Sequence, residues 1–113
     1  MHDLKYAGQI LDRLRKELKG KDKNTRVAID VYLSTLSHVT PERLKEVFAF
    51  LSKEEGYGRA VLNISIAQLR IKCKKCGHEW KTPEPVFECP KCSSPDFELE
   101  KWEEFYIDSV KIG

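Results

Sequence analysis

The side chains with the most chemical capacity in this chain are four cysteines arranged as Cys73-x2-Cys76, twelve intervening residues, then Cys89-x2-Cys92. Two residues between cysteines allow a tight turn that aims both sulfurs at one ion, and two such turns complete a tetrahedron. Gly77 directly after Cys76 suits the first turn because it reaches positive φ without a Cβ clash, and Pro90 stiffens the second. Rubredoxin-like iron, an iron–sulfur cluster and two disulfides use related spacing. Zinc as four thiolates is the expectation, with one structural Zn(II) per chain. Four thiolates leave no open position for water, so such a zinc performs no catalysis. His78, beside the first pair, is not needed to complete the set.

A second constellation is the opening Met1-His2-Asp3. A side chain as bulky as histidine at position 2 opposes removal of Met1. The Met1 amine, the His2 backbone nitrogen and His2 Nδ1 can then close fused five- and six-membered chelate rings. Deprotonating an amide is rewarded by a metal that favours planar nitrogen coordination, Ni(II) or Cu(II) in preference to zinc. A fourth donor would be the backbone nitrogen or the carboxylate of Asp3. On chemistry alone the bland alternative, an incidental surface histidine, carries more weight.

These groups must be held by secondary structure, and the apolar pattern supplies it. Leu4, Ala7, Leu11, Leu14 and Leu18, widened by Ile10, predict one face of a helix of about 15 residues that closes near Gly20. Val27, Ile29, Val31 and Leu33 alternate with Ala28, Asp30, Tyr32 and Ser34, which predicts a strand with one buried face. Thr40-Pro41 reads as a helix start, and that helix buries Leu44, Val47, Phe48 and Leu51 up to about Ser52. Leu62, Ile64 and Ile66 give another strand, with a phase change near Ala67 where the chain bulges or leaves the sheet. Phe105 and Ile107, with Val110 or Ile112, give the last. The expected architecture is α+β: two helices packed on a small three-stranded sheet, with an inserted zinc-ribbon-like domain. The expected units are residues 1–70 plus 101–113 and, for the metal-held insert, residues 71–100.

Length and composition agree with one modest core plus a metal-held module: 113 residues, 41% hydrophobic and 34% charged. The absence of a bilayer-length apolar run, and of a basic-then-apolar start, leads us to expect a cytoplasmic protein with no membrane partner. The formal charge of +2 falls to about zero once four thiolates and a dication are counted. Lys72, Lys74, Lys75 and Lys81 cluster near the first cysteine pair, but Glu79, Glu84 and Glu88 interrupt them, so nucleic acid is not an expected partner. From the residues alone a zinc-ribbon nucleic-acid-binding module and a zinc-dependent protein-interaction domain stay open as alternatives.

Taken together, Met1-His2-Asp3, Leu36-Ser37-x-Val39, Cys73-x2-Cys76-Gly77 with Glu79-Trp80, and Cys89-Pro90-x-Cys92 with Asp96-Phe97 make the chain resemble the HypA/HybF family of nickel-delivery chaperones. The likeness spans essentially the whole chain, with Asp3 where the family usually carries glutamate. The resemblance implies a protein that is not an enzyme. It implies one transient Ni(II) per chain at His2, with the Met1 amine and Asp3 supporting, and one structural zinc on Cys73, Cys76, Cys89 and Cys92. It also implies a nickel-binding accessory GTPase as partner and the large subunit of [NiFe]-hydrogenase as recipient, with urease a further recipient in some relatives.

Overall fold

The computed structural model describes residues 2–84, 88–100 and 102–113. In chain order these form α1 (His2–Glu17), β1 (Val27–Leu33), a short 3-10 turn (Thr35–Ser37), α2 (Pro41–Glu54), β2 (Ala60–Ile66), β3 (Leu69–Cys73), β4 (Glu79–Thr82), β5 (Phe97–Leu99) and β6 (Phe105–Ile112).

Helix α1 buries Tyr6, Ala7, Ile10, Leu11 and Leu14, and Leu18 just beyond its end is also covered. Arg15 and Lys16 sit in its last turn, where cations complement the helix dipole, and Gly20 at φ +81 turns the chain away. The expected stripe needs one correction: Leu4 is 49% exposed, and Tyr6 at 4% takes a place in the core. Leu4 lies at the edge of the apolar arc and borders a shallow groove with Val47 and Phe50 of α2, away from the sheet.

Helix α2 starts as its sequence requires. Thr40 Oγ1 accepts from the Arg43 amide at 3.2 Å, and Pro41 occupies the first turn. Leu44 and Phe48 are buried, whereas Val47 and Leu51 are half-buried at the rim of the core.

Strand β1 is the middle of the first sheet, ordered β2-β1-β6, parallel to β2 and antiparallel to β6. Its alternation is complete: Val27, Ile29, Val31 and Leu33 all face the helices and are buried. On the open face Asp30 accepts from Asn63 Nδ2 at 3.0 Å and Ser109 Oγ at 3.1 Å, bonds that hold its carboxyl below the usual range. The pairing of β6 slips between Asp30↔Ser109 and Val31↔Ile107, so Asp108 is the extra residue of a bulge. That slip puts Phe105, Ile107 and Val110 on one core despite their uneven spacing.

At Ala67 the chain leaves this sheet, although the Ala67 amide still donates to Leu33 O at 3.0 Å. Strand β3 then begins a second sheet, ordered β4-β3-β5. Strands β4 and β5 are only four and three residues long and partly exposed, and β4 is mostly polar, so neither is long enough for its periodicity to predict it. The molecule extends over 55 × 25 × 15 Å with a radius of gyration of 17.6 Å. A single compact core of this length would give about 13 Å, so the two sheets do not share one interior. Among the described residues no helix is long and apolar enough to cross a membrane.

Candidate metal centre

Strand β3 delivers Cys73 to a tight turn that carries Cys76, and the loop before β5 carries Cys89 and Cys92. The two turns share one hydrogen-bond plan. Gly77 N donates to Cys73 O at 3.0 Å and Cys73 N to His78 O at 2.8 Å; Ser93 N donates to Cys89 O at 2.8 Å and Cys89 N to Ser94 O at 2.9 Å. The fifth residue of each turn is left-handed, Gly77 at φ +78 and Ser93 at φ +62. The expectation for Gly77 holds, and Ser93 is its counterpart, recognisable in the sequence only by counting four residues from Cys89.

The four sulfurs lie within 4.8 Å of one another, with Cys73 to Cys92 at 3.6 Å and Cys76 to Cys89 at 3.7 Å. Metal–sulfur bonds of about 2.3 Å in a tetrahedron place sulfurs about 3.8 Å apart, so the set fits one thiophilic ion. The spacings are far longer than a disulfide bond, and the cysteines are free thiols. The Cys76 amide donates to Cys73 Sγ at 3.5 Å and the Lys91 amide to Cys89 Sγ at 3.4 Å, stabilising negative sulfur. The amides of Cys76 and Lys75 hold the Cys73 thiol down, at about 6. The Ser94 amide favours the Cys92 thiolate too, but burial and the other three sulfurs outweigh it and push Cys92 up to about 12. Four thiolates this close repel one another, and a dication at their centre removes that penalty. His78 stands aside with its ring stacked on Trp80 at 5.7 Å, and serves the turn through its carbonyl.

The opposite end of the molecule holds the other expected group. Met1 lies outside the described residues. His2 is the exposed first residue of α1, its ring over Tyr6 with centroids 6.2 Å apart. Asp3 Oδ2 accepts from Arg43 Nε at 3.0 Å, and that hydrogen bond holds the Asp3 carboxyl below its usual range. His2, Asp3 and Arg43 line a cavity of about 340 Å³ together with His38, Val39 and Thr40. Below His2, Tyr6 stacks on Phe105 at 4.7 Å and donates its hydroxyl to Glu104. Sequence reasoning did not find His38, which reaches this end through the packing of α2 beside α1, or Tyr6, which stands one turn along α1 from His2 and is covered by Phe105 of β6.

The family described as hydrogenase/urease nickel incorporation, metallochaperone, hypA matches residues 1–112. The chain belongs to the HypA family. Relatives described as hydrogenase maturation factor HypA include those of Ignicoccus hospitalis, 30% identical with 98% of this chain and 96% of that protein covered, and Pelodictyon phaeoclathratiforme, 30% identical with 99% and 96% covered. The solution structure of the nickel metallochaperone HypA from Helicobacter pylori shares the fold, with a TM-score of 0.58 at 17% identity, covering 97% of this chain and 96% of that one. A second HypA solution structure gives 0.61 at 17% identity, covering 94% and 91%. As a HypA protein the chain is a metallochaperone of the nickel-incorporation class and not an enzyme.

Proposed function

We propose that this chain binds Ni(II) at its N-terminus and delivers it during the maturation of [NiFe]-hydrogenase. The observation that carries the proposal is the position of His2 as the first residue of α1. The first amides of a helix have no intrahelical acceptor, so the His2 and Asp3 backbone nitrogens can be deprotonated and metallated without breaking a helical hydrogen bond. The Met1 amine, the His2 nitrogen and His2 Nδ1 form the chelate, and Asp3 supports it. Arg43 and the positive end of α1 oppose a bare cation here, so binding depends on the negative charge that amide deprotonation creates. The exposure of His2 suits release, because the cargo leaves by ligand exchange with a partner that reaches the same face.

Cys73, Cys76, Cys89 and Cys92 hold one structural Zn(II) in this reading, and the zinc organises residues 71–100 as a unit beside residues 1–70 and 101–113. The partners are a nickel-binding accessory GTPase and the hydrogenase large subunit, in the cytoplasm. Nickel titration calorimetry on untagged protein tests the assignment. In the His2→Ala variant stoichiometric nickel binding disappears while zinc content and circular dichroism stay unchanged; nickel affinity equal to that of the native protein would remove the N-terminal site.

A further inference from the structure

The chain contains three histidines, and two of them, His2 and His38, line the same cavity. We propose that His38 supplies a second imidazole to the nickel bound at His2, in place of the Asp3 carboxylate. This deepens the reading of His2 as the cargo ligand and rests on it.

Asp3 is engaged: Arg43 donates to it at 3.0 Å, and the Asp3 side chain is only 16% exposed where Arg43 is 64% exposed. For Asp3 to ligate through Oδ2 it must release the guanidinium, and ligation through Oδ1 would set a dication close to the Arg43 cation that Oδ2 still holds. His38 carries no such cost. His38 is exposed and its ring makes no hydrogen bond to a described residue, so no existing contact has to be broken for it to ligate. The backbone on either side of it is fixed. Ser34 Oγ accepts from Leu36 N at 3.1 Å and Ser37 Oγ donates to Ser34 O at 2.7 Å, while on the far side Thr40 caps α2. His38 itself sits at φ 63, ψ 17, a left-handed conformation uncommon for a residue with a side chain.

The chemistry favours the same donor. The Met1 amine, the His2 amide nitrogen, His2 Nδ1 and one His38 nitrogen make four nitrogens, the set that suits planar Ni(II). Among the described residues the four cysteines are the only group of three or more such side chains with ligand atoms already within 4.8 Å of one another, and in this proposal the exposed His2 and His38 rings turn to close on the metal. Exposed side chains change rotamer in picoseconds to nanoseconds and pack against little that opposes the turn.

The test uses untagged full-length protein with zinc in place and nickel chloride as the probe. His38→Asn removes the imidazole and keeps a residue that tolerates the left-handed backbone. X-ray absorption at the nickel edge counts two imidazoles in the native protein and one in His38→Asn. Nickel affinity in calorimetry falls at least about tenfold, the scale seen even for residues one step outside a metal's ligands. One imidazole in the native protein, or an affinity in His38→Asn within about twofold of native, overturns the proposal. Arg43→Gln separates the competing donor. It raises affinity by removing an opposing charge; a rise that survives Asp3→Asn is the result expected with His38 as the ligand, whereas a rise that Asp3→Asn abolishes identifies the carboxylate instead. His2→Ala keeps the two readings distinguishable: loss of binding there with none in His38→Asn removes His38 alone, and binding unchanged in both removes the N-terminal site as well.

Discussion

Tyr6→Phe removes one oxygen atom and tests how the start of α1 is fastened to the chain returning from the second sheet. Tyr6 is 4% exposed, its ring stacks on Phe105 at 4.7 Å and an interplanar angle of 15°, and its hydroxyl donates to Glu104. Burial, then the Glu104 carboxylate, push the phenol up to about 12 from 10.0. That change corresponds to about 2.7 kcal/mol between the two protonation states, an upper bound on the hydrogen bond because burial is the larger cause and survives the substitution. A hydrogen bond to a charged partner contributes about 1.5–3 kcal/mol, and the exposure of Glu104 puts this one at the low end, about 1.5 kcal/mol. In a chain of this length that is a fall of about 6 °C in the unfolding midpoint. A cycle of Tyr6→Phe, Glu104→Gln and the double variant, followed by circular dichroism with zinc bound, isolates the pair. The pH dependence has a definite sign. A raised phenol stabilises the native state fully below pH 10, and that contribution is lost as pH rises toward about 12. The native protein therefore loses its advantage over Tyr6→Phe across that window. A coupling near zero, with parallel alkaline curves, would refute the argument.

Two further outcomes follow from the two ends of the molecule. Stripping the metal with a chelator should unfold the β4-β3-β5 sheet, whose fully buried aliphatic residues are only Leu69 and Ile71 among those described. Hydrogen exchange should then become fast in residues 71–84 and 88–100, while the amides of β1 keep their protection; retained protection around Cys73 would contradict a metal-dependent fold. At the other end Arg43→Gln should raise the Asp3 carboxyl toward its ordinary value of 3.8. Because the native value is depressed, the stabilising contact is present above that value and lost as pH falls below it, which an NMR titration of Asp3 reads directly.

The sequence by itself determined the two helices, the three strands of the first sheet and the thiolate cluster, because each is specified by local spacing. Strand β1 matches its alternation from Val27 to Leu33, Thr40-Pro41 marks the start of α2, and the break at Ala67 is where the chain changes sheets. The two Cys-x2-Cys turns carry their own geometry, so the sulfurs of Cys73, Cys76, Cys89 and Cys92 meet with little help from the rest of the fold. What only the tertiary structure decided is the company those residues keep. Leu4 and Tyr6 are both apolar enough for the core, and the placement of α2 and β6 leaves the first exposed and buries the second. Strands β4 and β5 are too short to announce themselves and exist by pairing with β3. His2 and His38 are separated by a helix and a strand in sequence, yet the packing of α1 on α2 sets both at one cavity. Local periodicity encodes which face of an element is apolar. Which residues from distant elements meet is fixed by how those faces pack, and the cavity at His2 and His38 depends on that second kind of information.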